Sequence, residues 1–443
     1  MEVLLICGTG AIGTALTDSL LEAGHKVFVT TRQNIKSEYR NLRYLQGNYN
    51  DAAFLGFVLG YKHWGAIVDF GHYSTEELKR WIPILLLSTD HYIYVSSSRV
   101  YEDGGSKRIT ENHIRQYDMH ASEIPSFGAA YVKAQGENIV RESRSDNYTI
   151  VRPYITYNVN RLQMGGYEMD WWLQRLIAGK PLIIPRDILG HWTTLTYAGD
   201  VGKRIAGILG KEKAKREVFQ IASDESHTWQ GVLDIYIELL AERGFKPEVY
   251  VTDDSSYVDV YFDKDQYEHD RLYERIFDSR KIDEVSGCSD YMRLRNGLVK
   301  CLDEFMFRGI TFRGNPDYIK WGIYIDKRLR WGEGTLYRPG CKLTFDKVPR
   351  KEKIICFGAG RMLRQNIDYI RLNYDILGIV DNDKKMWGQS IDGIRVSAPS
   401  MVSRNKEALY VITVDNVKDA FLMMNQVMNY GAIKVEHLRN MIK

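Results

Sequence analysis

The first 155 residues alternate short apolar runs with segments of helical periodicity. The run VLLIC is followed by the turn GTGAIG and by TALTDSLLEAG, in which Leu16, Leu20 and Leu21 recur at helical spacing. Further apolar runs are KVFVTT, GAIVDF, YIYVSS and YTIVRP, and helical segments such as STEELKRWIPILLL separate them. Apolar runs that alternate with helices are typical of parallel strands buried on both faces. The pattern predicts an α/β fold with a doubly wound parallel sheet of Rossmann type.

The pattern changes after this sheet and later restarts. From Asn158 to about Lys281 helical segments mix with short strands such as PLIIP, and this predicts a small α/β cap on the substrate side. At Lys353 the order KIICFGAG, helix, ILGIVD begins again and predicts a second, smaller Rossmann-like α/β domain. We therefore expect a nucleotide-binding domain over residues 1–285 with its cap from about 158, a connector over 286–350 without an assigned structure, and the second domain over 351–443.

The composition limits the classes of molecule that the protein is expected to bind. The 443 residues include 60 Lys and Arg against 57 Asp and Glu, a net charge of +3, which offers no general footprint for nucleic acid or a membrane surface. No segment approaches the ~20 apolar residues that span a bilayer, and the first residues do not predict a signal peptide. The five cysteines are widely spaced and the histidines lack ligand spacing, so we expect the reducing cytoplasm and no metal site. A small molecule is the expected partner.

The first glycine turn predicts a dinucleotide site. In GTGAIG, Gly8, Gly10 and Gly13 have the GxGxxG spacing between a strand and a helix, with Ala11 and Ile12 in the same turn. The next strand ends at TTR without the acid that an NAD-selective site carries, and Arg32 is positioned to take a 2′-phosphate. NADP is therefore favoured over NAD. The alternatives are a glycine turn without a ligand and an ordinary surface arginine.

The second glycine turn carries a weaker signal. GAGRML keeps Gly358 and Gly360 but has Leu363 where the third glycine belongs. Asp381, about 20 residues further on, occupies the place of a ribose-binding acid. We expect either a bound nucleotide or a purely structural domain here.

Several strings together resemble one family. GTGAIG, QGNYND, IVDF, YVSSSRVYED and VRPYITY follow each other as in the extended and atypical short-chain dehydrogenase/reductases, the NAD-dependent epimerase/dehydratase family. The resemblance covers residues 1 to about 285. The segment RLIAGKPLIIPRDILGHWTTLTYAGDVGKRIAGIL is most similar to the atypical branch that includes the chloroplast stem-loop-binding proteins.

The resemblance implies a catalytic set that this chain keeps only in part. Ser97 takes the role of the residue that hydrogen-bonds the reacting oxygen, and Lys133 that of the lysine beside the nicotinamide ribose. The family's acid/base tyrosine lies four residues before that lysine, where this chain has Ala129. If Tyr131 is the tyrosine instead, the lysine position holds Gln135. Residues two apart on a helix point about 200° from each other, so Tyr131 and Lys133 cannot form the pair from one helical face.

A displaced tyrosine remains open. A distortion before the helix would bring Tyr131 to the site, and Tyr101, Tyr154 or Tyr157 are substitutes, although most of the 29 tyrosines are expected to be core or rim residues. The resemblance also implies contacts to the cofactor. Asn48 and Tyr49 would contact the adenine, and Phe70, Gly71 and His72 would lie along the phosphate and ribose edge. Pro153 would lie near the nicotinamide carboxamide.

The expected function is an NAD(P)-dependent epimerase, dehydratase or reductase that transfers hydride at a carbon of a nucleotide-linked or related sugar. Polysaccharide biosynthesis is the implied setting, and a homodimer is a further expectation. The alternative is a non-catalytic protein that binds a nucleotide, a nucleotide sugar or RNA on a degenerate scaffold. Ala129 favours this alternative, and so does the basic, aromatic stretch KWGIYIDKRLRW. The other interpretation of this stretch is a solvated connector.

Overall fold

The computed structural model describes residues 1–120, 128–253, 263–312, 316–330, 332–343, 345, 352–406 and 408–441. The chain divides into two compact units. The first consists of Met1–Val251 and Asp263–Lys342, and the other described residues form the second.

The first unit contains fourteen strands among its described residues. In chain order they are β1 (Glu2–Ile6), β2 (Lys26–Thr31), β3 (Leu42–Gln46), β4 (Ala66–Asp69), β5 (Tyr92–Val95), β6 (Tyr148–Pro153), β7 (Thr156–Tyr157), β8 (Leu182–Pro185), β9 (Trp192–Thr193), β10 (Thr196–Tyr197), β11 (Val218–Ile221), β12 (His227–Thr228), β13 (Val249–Thr252) and β14 (Thr335–Leu336).

The helices lie between these strands. They are α1 (Ala11–Glu22), α2 (Ala52–Gly60), α3 (Thr75–Leu87), α4 (Gln116–His120), α5 (Gly128–Glu142), α6 (Met169–Ile177), α7 (Arg186–Leu189), α8 (Ala198–Ile208), α9 (Trp229–Glu242), α10 (Lys264–Gln266), α11 (Arg280–Ser286), α12 (Leu294–Phe307) and α13 (Pro316–Arg330). Helix α3 begins with the capping box expected from its sequence, in which the Ser74 hydroxyl accepts a hydrogen bond from the Glu77 N–H. The helices α12 and α13 lie within the segment predicted as a connector, and the domain boundaries stay predictions.

Seven strands form the main sheet in the order β11-β6-β5-β4-β1-β2-β3, and every neighbouring pair is parallel. The apolar runs of the sequence are five of these strands, β1, β2, β4, β5 and β6, which are almost entirely buried, whereas the edge strand β3 is mostly half-buried or exposed. One face packs a core that includes Leu16 of α1 and Ile205 of α8, and the other a core that includes Ile82 of α3 and Ile139 of α5. The predicted doubly wound sheet is confirmed.

The second unit has its own sheet and core. Its strands are β15 (Lys353–Phe357), β16 (Asp375–Val380), β17 (Ser390–Ile391), β18 (Ile394–Ser397), β19 (Leu409–Ile412) and β20 (Lys434–His437), in the order β17-β18-β16-β15-β19-β20. Its helices are α14 (Arg361–Asn373), α15 (Val417–Asn429) and α16 (Leu438–Met441). The pairs are parallel except β17 with β18. This confirms a second, smaller sheet domain at the C-terminus.

Among the described residues, no helix combines the length and the apolar character that a bilayer crossing requires.

Candidate functional site

The candidate site lies where the order of the main sheet changes direction. Strand β1 pairs with β2 on one side and with β4 on the other, and the chain leaves β1 for α1 and β4 for α3. The carboxyl ends of these strands therefore open a crevice between two connections that diverge, which is where doubly wound sheets bind ligands.

In the glycine turn after β1, a side chain would clash with the backbone at Gly13 but would meet no neighbour at Gly10. A Cβ atom on Gly13 would lie 2.2 Å from the main-chain oxygen of Gly8, so the first turn of α1 touches the end of the strand. A Cβ atom on Gly10 would meet nothing within 4 Å. Gly10 is also the N-cap of α1 without a side-chain cap, and Ala11 and Ile12 begin the helix. Free N–H groups at a helix start, with an open backbone before them, suit a pyrophosphate, so these residues fit a dinucleotide.

The end of β2 lies beside this turn. The N–H of Cys7 donates a hydrogen bond to the Thr30 hydroxyl at 2.8 Å, and Cys7 has a φ of 58°. Arg32 is exposed just beyond the strand. Burial raises the pKa of the Cys7 thiol, and the positive charge of Arg32 is one of the influences that oppose this rise.

The Tyr49 side chain connects two segments that are predicted to contact the cofactor. The Tyr49 hydroxyl accepts a hydrogen bond from the N–H of His72 at 3.0 Å and thereby joins the loop after β3 to the loop after β4. Phe70 donates its N–H to the main-chain oxygen of Ile6 at 3.0 Å. Asn48 is exposed next to Tyr49. The residues predicted to contact the adenine, the phosphates and the ribose thus lie in the segments that follow β3 and β4.

Lys133 reaches into the crevice from α5. Its ammonium group donates hydrogen bonds to the main-chain oxygens of Val95, at 2.8 Å, and Gly71, at 3.2 Å. It also lies 5.1 Å from the centre of the Tyr94 ring. Burial lowers the pKa of Lys133 to about 8, although the negative charge of Asp69 opposes this. An amine with that pKa exchanges protons near neutral pH.

The sequence analysis missed Asp69, the last residue of β4. Its side chain is 1% exposed and accepts hydrogen bonds from the Gly71 N–H at 2.8 Å and the Tyr92 hydroxyl at 2.9 Å. Burial raises the pKa of this carboxyl, and Lys133 is the nearest opposite charge that acts on it. An acid at the end of an otherwise apolar strand was the available signal. Asp69 fixes the turn whose carbonyl Lys133 also binds.

Three consecutive serines follow β5 and have separate partners. Ser97 is the half-buried N-cap of a 3-10 turn over Ser98–Val100, and its hydroxyl accepts a hydrogen bond from the N–H of Arg99 at 3.2 Å. Ser98 donates to the main-chain oxygen of Arg152 at 2.6 Å, and Ser96 donates to the Glu137 carboxylate at 2.6 Å. Only the middle serine is held by its own turn alone, which suits the predicted contact with a substrate oxygen.

Glu137 anchors this serine segment from α5, one helical turn after Lys133. Its fully buried carboxylate receives hydrogen bonds from Arg152 at 2.8 Å and from Arg115 at 3.1 Å. Burial opposes the charge, yet the guanidinium of Arg152 keeps the pKa of Glu137 below its usual value. Its two arginines lie 22 residues before it and 15 residues after it in the chain.

None of the tyrosines considered for the acid/base role makes a hydrogen bond or ring contact with Lys133 among the described residues. Tyr131 packs against Tyr117, with ring centres 4.7 Å apart, whereas the Lys133 ammonium is bound to main-chain oxygens of Val95 and Gly71. Ala129 is exposed. The possible substitutes are core residues with at most 2% exposure, and burial raises the pKa of all three: Tyr101, Tyr154 and Tyr157. Pro153 is buried at the end of β6, where it pairs with Ile221 of β11.

The second unit has a similar glycine turn, to which an aspartate side chain is bound. Gly358 has a φ of 115°, and a Cβ atom on Gly360 would meet nothing within 4 Å. One carboxylate oxygen of Asp381 accepts the N–H of Ala359 at 2.6 Å, and the other accepts the N–H of Asp383 at 2.7 Å. The predicted acid is therefore bound to the glycine turn itself.

Comparison with known proteins finds likenesses to both parts of the chain. The family described as "C2185-like, N-terminal" matches residues 350–430. The chloroplast stem-loop binding protein of 41 kDa b from Arabidopsis thaliana is 25% identical over 355 residues, which cover 74% of this chain and 85% of that protein.

Solved structures with a similar fold cover most of this chain. The dTDP-glucose 4,6-dehydratase from Bacillus anthracis, in complex with NAD, has a TM-score of 0.55 at 17% identity and covers 70% of this chain and 98% of its own. MoeE5, in complex with UDP-glucose and NAD, has a TM-score of 0.52 at 18% identity and covers 70% of this chain and 100% of its own. At these identities the likeness shows the fold.

Proposed function

We propose, from the premise that the first unit has the fold of the extended short-chain dehydrogenase/reductases, that the protein binds a nicotinamide dinucleotide there and acts on a nucleotide-linked sugar. The reaction class is that of the NAD-dependent epimerases, dehydratases and reductases, which oxidise or reduce a sugar carbon. The setting is the synthesis of a polysaccharide or related glycan.

One observation carries the proposal. The turn after β1 is closed at Gly13 by its own backbone and open at Gly10, and a buried lysine stands at the ends of β4 and β5 in the same crevice. The uncrowded backbone at the middle glycine lets a phosphate approach the chain closely. The bare glycine beside a helix start is what a pyrophosphate requires.

The residues that would hold the dinucleotide are the first glycine turn, Arg32, Tyr49 and Lys133. When bound, the dinucleotide supplies a hydride donor or acceptor. NADP is preferred in this proposal, because β2 ends at Thr30 and Thr31 without an acid and Arg32 follows directly. NAD is the cofactor in the solved structures with the same fold.

Ser97 and Lys133 handle the substrate oxygen in this proposal. The Ser97 hydroxyl donates a hydrogen bond to that oxygen. Its proton is available because, among the described residues, the only hydrogen bond of this hydroxyl is the one that it accepts from the Arg99 N–H. Lys133, whose pKa burial lowers to about 8, gives or takes the proton that the missing tyrosine handles in the family. Tyr131 stays with Tyr117 and takes no part.

Native mass spectrometry of the freshly purified protein, followed by identification of the released ligand, tests the cofactor. Bound NAD(H) or NADP(H) supports the proposal. A protein that carries neither and ignores both when they are added contradicts it. Incubation of the loaded protein with UDP-glucose and dTDP-glucose, followed by chromatography of the sugars, tests the reaction.

A second candidate function is RNA binding, and the relative named for stem-loop binding favours it. Retention of a stem-loop RNA that weakens steeply with added salt would support this function, because phosphate contacts release counterions. Indifference to RNA at low salt would remove it.

For the second unit we propose a nucleotide at Gly358 and Gly360, with Asp381 shaping the turn rather than holding a ribose, since both of its oxygens are engaged. We also retain the cytoplasm as the compartment, because all five cysteines are free thiols. A homodimer stays a prediction.

A further inference from the structure

Asp69 and Lys133 are both bound to Gly71, one through its N–H and the other through its carbonyl oxygen. The Gly71 N–H donates a hydrogen bond to the Asp69 carboxylate at 2.8 Å, and the Gly71 oxygen accepts one from the Lys133 ammonium group at 3.2 Å. A Cβ atom on Gly71 would lie 2.8 Å from the same carboxylate, so this close approach depends on glycine. Asp69 is 1% exposed and Lys133 is 9% exposed, so the two opposite charges interact with little screening by solvent.

The hydrogen bonds of Asp69 favour its ionised form. One carboxylate oxygen accepts the Gly71 N–H and, at 3.4 Å, the Tyr73 hydroxyl, and the other accepts the Tyr92 hydroxyl at 2.9 Å. Burial raises the pKa of both Tyr73 and Tyr92, so the two hydroxyls keep their protons and remain donors. Burial also raises the pKa of Asp69, but these three donors and the charge of Lys133 oppose that rise.

Lys133 uses two of its three N–H groups in the described structure. They donate to the main-chain oxygens of Val95, at 2.8 Å, and of Gly71. The centre of the Tyr94 ring lies 5.1 Å from the ammonium nitrogen and attracts the cation. The third N–H has no partner among the described residues, so it is available to a substrate oxygen.

The other titratable groups near Lys133 do not balance its charge. They are Cys7, His72, Tyr94 and Glu137. Burial raises the pKa of the thiol and of the phenol and lowers the pKa of the imidazole, so these three groups are uncharged at neutral pH. The Glu137 carboxylate is already bound by two arginines, whereas Asp69 forms no ion pair with an arginine in the described part of the chain. Asp69 is therefore the negative charge that matches Lys133.

We infer that Asp69 is the positioning residue of Lys133: its charge holds the proton on the ammonium nitrogen, and its hydrogen bond to Gly71 fixes a carbonyl that orients this nitrogen. The inference rests on the proposed function, in which Lys133 takes over the proton transfer of the family's absent tyrosine. A buried amine without a counterion loses its proton readily, so Lys133 alone would meet a sugar carbonyl without the proton that its reduction needs. With Asp69 in place, the carbonyl carbon receives the hydride, the oxygen receives the lysine proton, and a neutral amine remains.

The test follows the titration of Lys133 in the full chain without cofactor or substrate. NMR of protein that is isotope-labelled at the lysine Cε reports the protonation of each amine, and the signal that disappears in Lys133→Met belongs to Lys133. We expect Asp69→Asn to increase the acid dissociation constant of Lys133 at least about tenfold, because asparagine keeps the acceptor for the Gly71 N–H and removes the charge. Asp90→Asn, at a carboxylate that is 72% exposed before β5, should leave this constant unchanged.

The titration separates positioning from a merely structural role, because Asp69→Asn preserves the hydrogen bond that holds Gly71. An unchanged dissociation constant in folded Asp69→Asn overturns the role of Asp69 and leaves the proposed function intact. Thermal unfolding reports whether this variant folds. If it does not, the unaltered protein decides: an ammonium group on Lys133 at neutral pH supports the inference, and a neutral amine overturns it.

The proposed function is tested separately. A protein that binds neither NAD(H) nor NADP(H) overturns that function and the catalytic meaning of the pair, whatever the titration shows. When turnover of a nucleotide sugar is measured, the limb of the pH–rate profile that follows Lys133 should move to lower pH in Asp69→Asn and stay in place in Asp90→Asn. A profile that stays in place in both variants overturns the role of Asp69.

Discussion

The ammonium group of Lys133 lies 2.8 Å from the main-chain oxygen of Val95, at the end of the strand that precedes the serine segment. A second hydrogen bond, to the oxygen of Gly71, ties the same nitrogen to the loop after β4. Lys133 therefore joins two strand ends of the crevice, and it does so in a buried place where its charge is costly.

The titration of Lys133 makes stability depend on pH. Its folded pKa of about 8 lies below the ordinary 10.5, so between these values the unfolded chain binds more protons and folding becomes more favourable as pH rises. Relative to Lys133→Met, the free energy of unfolding of the unaltered protein should rise by about 3 kcal/mol across this window and stay level below it. Urea unfolding at a series of pH values measures the difference, and a constant difference would refute the buried charge.

Two of the three glycines of the first turn should respond differently to alanine. Gly13→Ala places a Cβ atom 2.2 Å from the Gly8 oxygen, so it should lower the free energy of unfolding by about 2 kcal/mol or more. Gly10→Ala meets no neighbour and should cost about 1 kcal/mol at most, as a helix N-cap change. Gly10→Ala should nevertheless weaken dinucleotide binding at least tenfold. Thermal unfolding and calorimetric titration measure the two effects, and unchanged affinity in a folded Gly10→Ala variant would argue against the cofactor site.

Cofactor choice should depend on Arg32. A charged hydrogen bond to a 2′-phosphate is worth about 1.5–3 kcal/mol, so Arg32→Gln should weaken NADP binding at least tenfold and change NAD binding by less than about twofold. Arg40→Gln, also exposed in the loop after β2, is the matched control. Fluorescence titration with both reduced cofactors provides the affinities. Equal losses for NAD and NADP would show that Arg32 does not read the 2′-phosphate.

Glu137 should contribute stability that disappears in acid. Its pKa is held below 4.5, so the folded state gains from its charge above that pH and loses the gain as pH falls through the lower folded value. Glu137→Gln leaves Arg152 and Arg115 without their buried partner and should cost about 3–5 kcal/mol at pH 7. Glu142→Gln, exposed at the end of the same helix, should cost little. Chemical unfolding at pH 7 and pH 4 measures the stability of both variants. A loss of unfolding free energy in Glu137→Gln that is no smaller at pH 4 than at pH 7 would contradict the stabilising role of the Glu137 charge.

The second unit offers a similar substitution. A Cβ atom on Gly360 meets nothing, so Gly360→Ala should leave the fold intact and remove a nucleotide bound at that turn. Native mass spectrometry of the full chain with NAD and with UDP should find one ligand fewer on this variant than on the unaltered protein. The same ligand count on both would favour a purely structural domain.

Much of the fold could be predicted from sequence, because its signals are local. Strands such as β1 and β4 are apolar runs, and the helices between them show periodic leucines or a capping box. The separation of Tyr131 from Lys133 followed from helix geometry alone. The candidate site was only partly predictable: Asp69 and the partners of Glu137 emerged from contacts between residues up to 62 positions apart along the chain, such as Gly71 and Lys133.

The sequence by itself determined the two glycine turns, the alternation of apolar strands and helices that surrounds them, and the absence of a tyrosine four residues before Lys133, because each is encoded in adjacent or periodically spaced residues. Only the tertiary structure decided which glycine of the first turn has no close neighbour, why Lys133 has a lowered pKa, and which arginines hold Glu137. Those properties depend on burial and on the electric field of neighbours, and both come from residues that folding brings together from distant parts of the chain.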